Sequence, residues 1–209
     1  MRLSPASFNR LLNHLGQSFS WRKGYACPCV DMHSGAASLS CTQCLGKGRI
    51  WGSANAGSAG IVSREKMRNY AAFGVWDSDD IMLSIPSDSP LYAMGQYDRV
   101  AALDRSEPFS LNIIKGFNDV LNFHVLSLDR AIWFSGGDII EGAIPFVSEN
   151  GIISWPNGVV PGSGVTFSLT GRRMPEYFCY LEIPTDRPMH HGEPLPRRVV
   201  LRRFELFDR

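Results

Sequence analysis

Residues 164–171, Gly-Val-Thr-Phe-Ser-Leu-Thr-Gly, hold the clearest structural pattern of the chain. Apolar and hydroxyl side chains alternate along this stretch, with Val165, Phe167 and Leu169 on one face. Period-two alternation predicts a strand with one buried face. Turn-forming residues bound it, at 161–164 before and at Gly171 after, so the strand is short.

The rest of the chain beyond residue 60 repeats this kind of signal. Short apolar runs, separated by Gly, Pro, Asn and Asp, predict further strands at 81–85, 100–103, 111–114, 120–128, 151–155, 178–183 and 199–207. Gly136-Gly137-Asp138 predicts a hairpin turn, and 63–73 a short helix. The predicted fold is mainly β: a β-barrel or β-sandwich body with a short N-terminal helix and a small zinc-binding loop module.

The N-terminal segment predicts an amphipathic helix. Ser4 suits the N-cap and Pro5 the first turn, and Gly16 ends the segment. Its apolar stripe has helical spacing and consists of Phe8, Leu11, Leu12 and Leu15. We expect this stripe to pack on the rest of the fold; docking against a neighbouring subunit is the alternative.

Four cysteines form the most specific motif. Cys27-Pro28-Cys29 is followed after eleven residues by Cys41-Thr42-Gln43-Cys44 and then by Leu45-Gly46-Lys47-Gly48. A C-x-x-C turn and a C-x-C pair can together supply four thiolates to a tetrahedral zinc ion, and a site with four sulfur ligands has no open position for catalysis. We therefore predict a structural Zn²⁺ held by Cys27, Cys29, Cys41 and Cys44. Four reduced cysteines or two disulfides are the alternatives, and His33 is a backup ligand.

A run of small residues at 53–60 (Ser-Ala-Asn-Ala-Gly-Ser-Ala-Gly) predicts a flexible linker, or a loop that runs close to another surface. The predicted organisation is therefore an N-terminal helix and cysteine module at 1–52, a linker at 53–60 and a β-rich body at 61–209.

Composition limits the classes of function. The 209 residues include 21 basic and 20 acidic side chains, a net charge of +1, which removes the bulk electrostatic argument for nucleic acid or membrane as the main partner. No apolar run is long enough to span a membrane, and we expect no secretion signal. In a reducing cytosol, spaced cysteines indicate metal ligands more than disulfides.

Other polar residues do not form a recognisable catalytic set. His190 and His191, with Glu193 nearby, are expected to be solvated, as is the acidic group Asp77, Asp79 and Asp80, and Cys179 is expected in a core. Without a nucleophile and its base in a known setting, the sequence predicts no enzyme. Basic residues gather near the end, at Arg172, Arg173, Arg197, Arg198, Arg202 and Arg203. A charged edge strand is the default interpretation, with a subunit interface or a DNA-lining surface as alternatives.

The order of several motifs resembles certain tailed-bacteriophage virion proteins, namely the neck or head-to-tail connector proteins. The cysteine segment through Trp51 is similar to their N-terminal zinc segment, although Leu45 stands where glycine is frequent. Gln96, in a later stretch, also stands where glycine is frequent in the family. Residues 95–100 are similar to a segment that leads into a strand. Residues 164–170, 173–177 and 195–199 are similar to the family's C-terminal block.

This resemblance implies a non-enzymatic structural protein of the virion, assembled in the host bacterial cytoplasm. Copies of the chain would form a ring that contacts portal, connector or tail proteins. Genomic DNA would pass transiently through this ring. The alternatives are another tail or baseplate component, or a zinc-ribbon nucleic-acid-binding protein that uses Lys47, Arg49 and Trp51. The string at 41–48 is also similar to one repeat of DnaJ-type co-chaperones, which carry several such repeats and a J domain.

Overall fold

The structure, a computed structural model, describes residues 4–62, 79–183 and 188–207. Within these residues it is mainly β with one short N-terminal α-helix and a cluster of cysteines, which confirms the predicted fold class. The helix predicted at 63–73 lies outside the described residues.

The elements follow one another in a simple order. They are α1 (Pro5–Leu15), β1 (Gln17–Ala26), β2 (Arg49–Ile61), β3 (Ile81–Ile85), β4 (Arg99–Ala102), β5 (Glu107–Ile114), β6 (Val125–Ser135), β7 (Asp138–Glu141), β8 (Phe146–Val147), β9 (Ile153–Ser154), β10 (Thr166–Arg173), β11 (Glu176–Ile183), β12 (Met189–His190), β13 (Glu193–Pro194) and β14 (Arg197–Arg203). Two short 3₁₀ helices occupy Pro90–Ala93 and Phe204–Leu206. Residues 204–206, predicted as part of the last strand, therefore leave the sheet.

The chain divides into two compact units, residues 1–104 with 176–209 and residues 105–175. The first unit contains a closed antiparallel barrel with the strand order β1-β2-β3-β14-β11-β4. The second unit is the chain between β4 and β11. This division differs from the predicted boundaries, because β1 and β2 of the predicted N-terminal module are barrel strands.

Large side chains fill the barrel interior. Phe19, Leu83, Val100 and Leu201 are fully buried there, and Trp21 is 7% exposed. Their burial follows the period-two alternation of the strands, which turns every second side chain inward. These side chains pack against one another in one hydrophobic core inside the barrel.

Residues 53–60 lie within β2 and do not form a linker. The small residues are needed for close packing: a Cβ atom at Gly57 would lie 2.9 Å from Cγ of Leu91, and one at Gly60 would lie 2.9 Å from Cδ2 of Leu12. The run thus lets a 3₁₀ helix and α1 approach the strand, which is the physical reason that its composition imitates a linker.

Helix α1 begins and ends as predicted. The Ser4 side chain accepts a hydrogen bond from the Ser7 N–H at 3.4 Å, and Gly16 follows the last turn. Its buried residues are Pro5 and Asn9, and Asn9 Nδ2 donates to Ser87 Oγ at 2.8 Å. The expectation that the apolar stripe packs on the fold is wrong for most of the stripe, because Phe8, Leu11 and Leu15 are 50%, 52% and 68% exposed.

The second unit is built on a four-stranded antiparallel sheet with the order β5-β10-β6-β7. Strand β10 contains residues 166–171 of the alternating stretch, and its Phe167 and Leu169 are buried. Gly136 and Gly137 have φ of 62° and 98° and join β6 to β7, so the predicted hairpin turn is present.

Candidate metal centre

The cysteine segment is the loop of the β1–β2 hairpin. Strand β1 ends at Ala26 and β2 begins at Arg49. The Cys27 N–H donates to the Gly48 carbonyl at 2.9 Å and closes the base of the loop. The pairing of Ala26 with Arg49 in the β1–β2 ladder thus holds the two ends of the loop together.

The loop brings all four predicted ligands together. The Sγ atoms of Cys27, Cys29, Cys41 and Cys44 all lie within 4.8 Å of one another. Cys27 Sγ lies 3.8 Å from Cys41 Sγ, and Cys29 Sγ lies 3.4 Å from Cys44 Sγ. A tetrahedron with Zn–S bonds near 2.3 Å has S···S edges of about 3.8 Å. These separations are compatible with a metal site, and all four cysteines are free thiols.

Left-handed backbone conformations shape the turn after the second cysteine pair. Leu45, Gly46 and Gly48 have φ of 51°, 81° and 68°. The Leu45 N–H donates to the Cys41 carbonyl at 2.9 Å, and the Lys47 N–H donates to the Cys44 carbonyl at 3.0 Å. Glycine adopts positive φ without a steric penalty, whereas Leu45 does so at a cost. The glycine spacing in the sequence is thus explained by this turn.

Backbone N–H groups also set the electrostatics of the thiols. The N–H groups of Cys44 and Gln43 donate to the Cys41 sulfur and lower the pKa of Cys41 to about 6. Desolvation, followed by hydrogen bonds with Cys27 and Cys44, raises the pKa of Cys29 to about 12. In the metal-free cluster the Cys41 thiol therefore ionises readily, whereas the Cys29 thiol stays protonated. A cation at the centre would stabilise the thiolate form of all four sulfurs.

The segment between the two cysteine pairs is held by Asp31. Its Oδ1 accepts from the N–H groups of His33 and Ser34, at 3.0 and 2.7 Å, and from Ser34 Oγ. These bonds lower the pKa of Asp31, with the Ser34 N–H as the main cause. His33 stands outside the cluster of potential ligands found among the described residues, so it is not brought to the site.

A cluster of aromatic and cationic side chains packs around the residues where the cysteine loop meets β2. Trp51 Nε1 donates to the Tyr97 carbonyl at 3.1 Å, and the Trp51 ring packs edge-on against Phe204 and Phe207 at 5.1 and 5.5 Å. The Arg49 guanidinium lies 4.4 Å from the Tyr97 ring centre, and Lys47 Nζ lies 5.6 Å from that of Phe204. No local sequence signal predicts Tyr97, Phe204 and Phe207 as partners of this hairpin, because they come from distant segments.

The C-terminal arginines do not lie on an edge strand. Strand β14 is paired on both sides, with β3 and with β11. Arg202 donates to both carboxylate oxygens of Asp80, at 3.1 and 2.9 Å. Arg197 donates to Glu182 and to the Tyr92 carbonyl, and the Arg203 guanidinium lies 5.1 Å from the Tyr177 ring centre. Arg198 alone of these four has an exposed side chain.

The remaining candidates serve structural roles or remain solvated. Asp80 is buried in its ion pair, which corrects the expectation that it is solvated, and Asp77 lies outside the described residues. In the second unit, Arg172 donates to Ser106 and Arg173 to Glu107.

His191 is exposed and His190 is half-buried, and the centres of their imidazole rings are 4.3 Å apart. Cys179 lies in the barrel core, where burial raises its pKa to about 12. No described helix is long and apolar enough to cross a membrane.

The sequence matches no protein-family model, and a search of curated proteins finds no significant match.

Proposed function

We propose that this chain is a non-enzymatic structural subunit of a tailed-phage virion neck, forming part of a ring that joins the head, at its portal, to the tail. The observation that carries the proposal is the closed set of four thiols at the tip of the β1–β2 hairpin. A site with four sulfur ligands supports structure and leaves no position for a substrate. The order of the sequence motifs supports the phage assignment.

The metal we assign to this site is Zn²⁺. Four thiolates in tetrahedral geometry suit zinc, and zinc supplies folding energy to a loop that has no core of its own. Cys27 and Cys44 are the only buried residues between positions 27 and 48, so the loop needs such a source of stability.

A neck subunit would meet copies of itself and portal, connector or tail proteins, while genomic DNA passes through the ring. The apolar side chains left exposed on this chain support contacts of that kind. Phe117 is 82% exposed and Phe134 is 74% exposed in the second unit, in addition to the three of α1. Exposed aromatic side chains of this kind are available for contact with another protein.

The nucleic-acid-binding alternative has less support. Its proposed contact residues are Lys47, Arg49 and Trp51, and all three lie against aromatic rings of the same chain. Binding of a phosphate and stacking on a base would have to compete with these contacts.

The metal assignment is tested by zinc content. Native mass spectrometry of the purified protein should find one zinc per chain, and Cys41→Ser should lose it because the site would keep three sulfur ligands. Cys179→Ser is the matched control, since this cysteine lies in the barrel core, and it should retain zinc. Absence of zinc from the wild-type protein, or full zinc content in Cys41→Ser, would contradict the assignment.

The neck assignment is tested in the phage that carries the gene. Disruption of the gene should yield filled heads and complete tails that do not join, and a plasmid copy should restore joined particles. Electron microscopy of the lysate distinguishes these outcomes. Normal infectious particles without the protein, or particles that lack heads altogether, would contradict a neck role.

A further inference from the structure

Accessibility divides the four cysteines of the metal centre into two kinds. Cys27 and Cys44 are buried, with 4% and 3% of their surface exposed. Cys29 and Cys41 are half-buried. Oxidation of cysteine follows thiolate character and exposure, so a dissolved oxidant has its best access to Cys29 and Cys41.

Each of these accessible sulfurs lies against a buried sulfur from the other arm of the loop. Cys29 Sγ is 3.4 Å from Cys44 Sγ, and Cys41 Sγ is 3.8 Å from Cys27 Sγ. A disulfide has an S–S bond of about 2.05 Å, so each pair needs to approach by less than ~2 Å. The accessible member of each pair therefore has a buried partner placed to form a bond with it.

Both contacts cross between the C-x-C arm and the C-x-x-C arm, whose paired cysteines are 14 and 15 positions apart in the sequence. A bond at either contact would close the loop as a shared metal ion does. A bond within the C-x-C arm is disfavoured, because only Pro28 separates its two cysteines and the ring of proline fixes the backbone φ angle.

A virion protein meets two redox environments in turn. It folds in a reducing cytosol, where thiols stay available as metal ligands, and it later works outside the cell, where disulfides form and persist. Oxidation of the ligands removes the metal, because only thiolates bind it. Between positions 27 and 48 only Cys27 and Cys44 are buried, so the loop then needs another closure.

We propose that the four cysteines close the loop in two alternative ways. In the reduced protein they hold Zn²⁺. On oxidation by a peroxide, Cys29 bonds to Cys44 and Cys41 bonds to Cys27, so the loop stays closed after the metal has left. This inference rests on the proposed function and adds the redox regulation of the same site.

Hydrogen peroxide supplies the oxidation in two steps for each disulfide. The Cys29 thiolate attacks one oxygen, the O–O bond breaks, and with one proton the products are a sulfenic acid and water. The Cys44 thiolate then attacks the sulfenic sulfur, the S–O bond breaks, and the leaving hydroxide takes up a proton. Cys41 and Cys27 react in the same way with a second peroxide. Four thiolates, two peroxides and four protons thus give two disulfides and four water molecules.

The test adds hydrogen peroxide stepwise to the purified full-length protein. A chromogenic chelator measures zinc release, and peptide mass spectrometry without reductant maps the disulfides. Proteolytic cleavage at Asp31 separates the two arms, and fragmentation at the bond between Cys27 and Pro28 distinguishes the two pairings that join them. Release of each zinc should need no more than two peroxides, as the balance of the reaction requires.

The expected map links Cys29 to Cys44 and Cys27 to Cys41. Cys179 is 1% exposed in the barrel core and should remain a thiol in the same sample. Bonds within each arm, the opposite pairing, or sulfinic acids without disulfides would overturn the inference. The map can be read with or without zinc in the starting protein, so a failure of the metal assignment, which zinc content detects, is distinguishable from a failure of this pairing.

Hydrogen exchange shows whether the oxidised loop stays closed. The Cys27 and Leu45 N–H groups donate within the loop, to the Gly48 and Cys41 carbonyls. In the oxidised protein these amides should exchange at least about tenfold more slowly than in reduced protein stripped of metal, because cross-links over loops of ~15 residues restrict the open states. Equal exchange in the two samples would overturn the closure, and Cys179→Ser should behave as the wild type does.

Discussion

The carboxylate of Asp98 accepts a hydrogen bond from the backbone N–H of Gly24 at 2.8 Å, across 74 residues of chain. The Asp98 side chain is fully buried and also accepts from the Gly95 N–H at 2.8 Å and from Lys23 Nζ at 3.2 Å. It therefore joins the turn before β4 to the irregular part of β1, where the register shifts between Arg22 and Gly24.

Replacement of this carboxylate should destabilise the barrel. Asp98→Asn keeps the volume but places an amide NH₂ among backbone donors, so at least one buried donor loses its partner. We expect a loss of about 2–4 kcal/mol in the free energy of unfolding, measured by urea denaturation. Asp138→Asn, at an exposed hairpin turn, should change it by less than ~0.5 kcal/mol. Equal effects of the two substitutions would contradict the role of Asp98.

The ion pair between Asp80 and Arg202 should also contribute to the stability of the barrel. The side chain of Asp80 is fully buried, and the Arg202 guanidinium lies 3.8 Å from the Tyr180 ring centre. Arg202→Met removes the charge that faces Asp80 and should cost about 3–5 kcal/mol. The double variant with Asp80→Asn should cost less than the sum of the two single variants, because the pair is lost only once.

Arg198→Met is the matched control for this pair, since Arg198 lies on the same strand with an exposed side chain. Its effect on the free energy of unfolding should stay within about 0.5 kcal/mol. Strict additivity of the Asp80 and Arg202 substitutions would show that the pair is not energetically coupled.

Replacement of Leu45 by glycine should stabilise the cysteine loop. Its φ of 51° costs a non-glycine residue about 1–2 kcal/mol, and the backbone entropy of glycine offsets part of the gain. Leu45→Gly should therefore stabilise the zinc-bound loop by roughly 0.5–1 kcal/mol, seen as slower zinc loss to a competing chelator. Leu45→Ala also removes the exposed side chain but keeps the strain, so it should show no such gain. A faster loss from Leu45→Gly than from Leu45→Ala would contradict this account.

The Cys41 thiol should ionise unusually early in the metal-free protein. Because backbone N–H groups lower its pKa to about 6, its alkylation rate should reach half its maximum near pH 6, against ~8.5 for an ordinary thiol. The depressed pKa stabilises the folded loop above the pKa of the unfolded thiol, and this stabilisation is lost as the pH falls through about 6. Site-resolved mass spectrometry of the alkylated protein measures the profile.

Cys41→Ser should remove this acidic phase of alkylation and leave the slower phase of the other thiols. An ordinary midpoint for Cys41 in the wild type would show that the loop does not keep its N–H···S contacts without metal.

Local patterns predicted several features directly. The alternation at 164–170 predicted β10, the cap residues predicted both ends of α1, and Gly136-Gly137 predicted a hairpin turn. The spacing of the four cysteines predicted their convergence. The strand, the helix caps and the turn depend on interactions between residues close in sequence. The four cysteines are predictable because a metal ion needs all of its ligands in one place.

Other predictions were wrong because one local composition is compatible with two different structures. The small residues at 53–60 are typical of a linker, yet here they let Leu12 and Leu91 pack on β2. The arginines of β14 resemble those of an edge strand, yet β14 has neighbours on both sides.

The sequence by itself determined the β-rich class, the helix with its caps and the four-thiol cluster, because these follow from periodicity, capping chemistry and ligand spacing. Only the tertiary structure decided that β1 and β2 close a barrel with strands from the far end of the chain. It also decided that Phe8, Leu11 and Leu15 face outward. The physical reason is that strand pairing and burial depend on partners many residues away. An apolar stripe identifies one face of a helix, but the elements around the helix decide whether that face is buried, and here Phe8, Leu11 and Leu15 stay exposed.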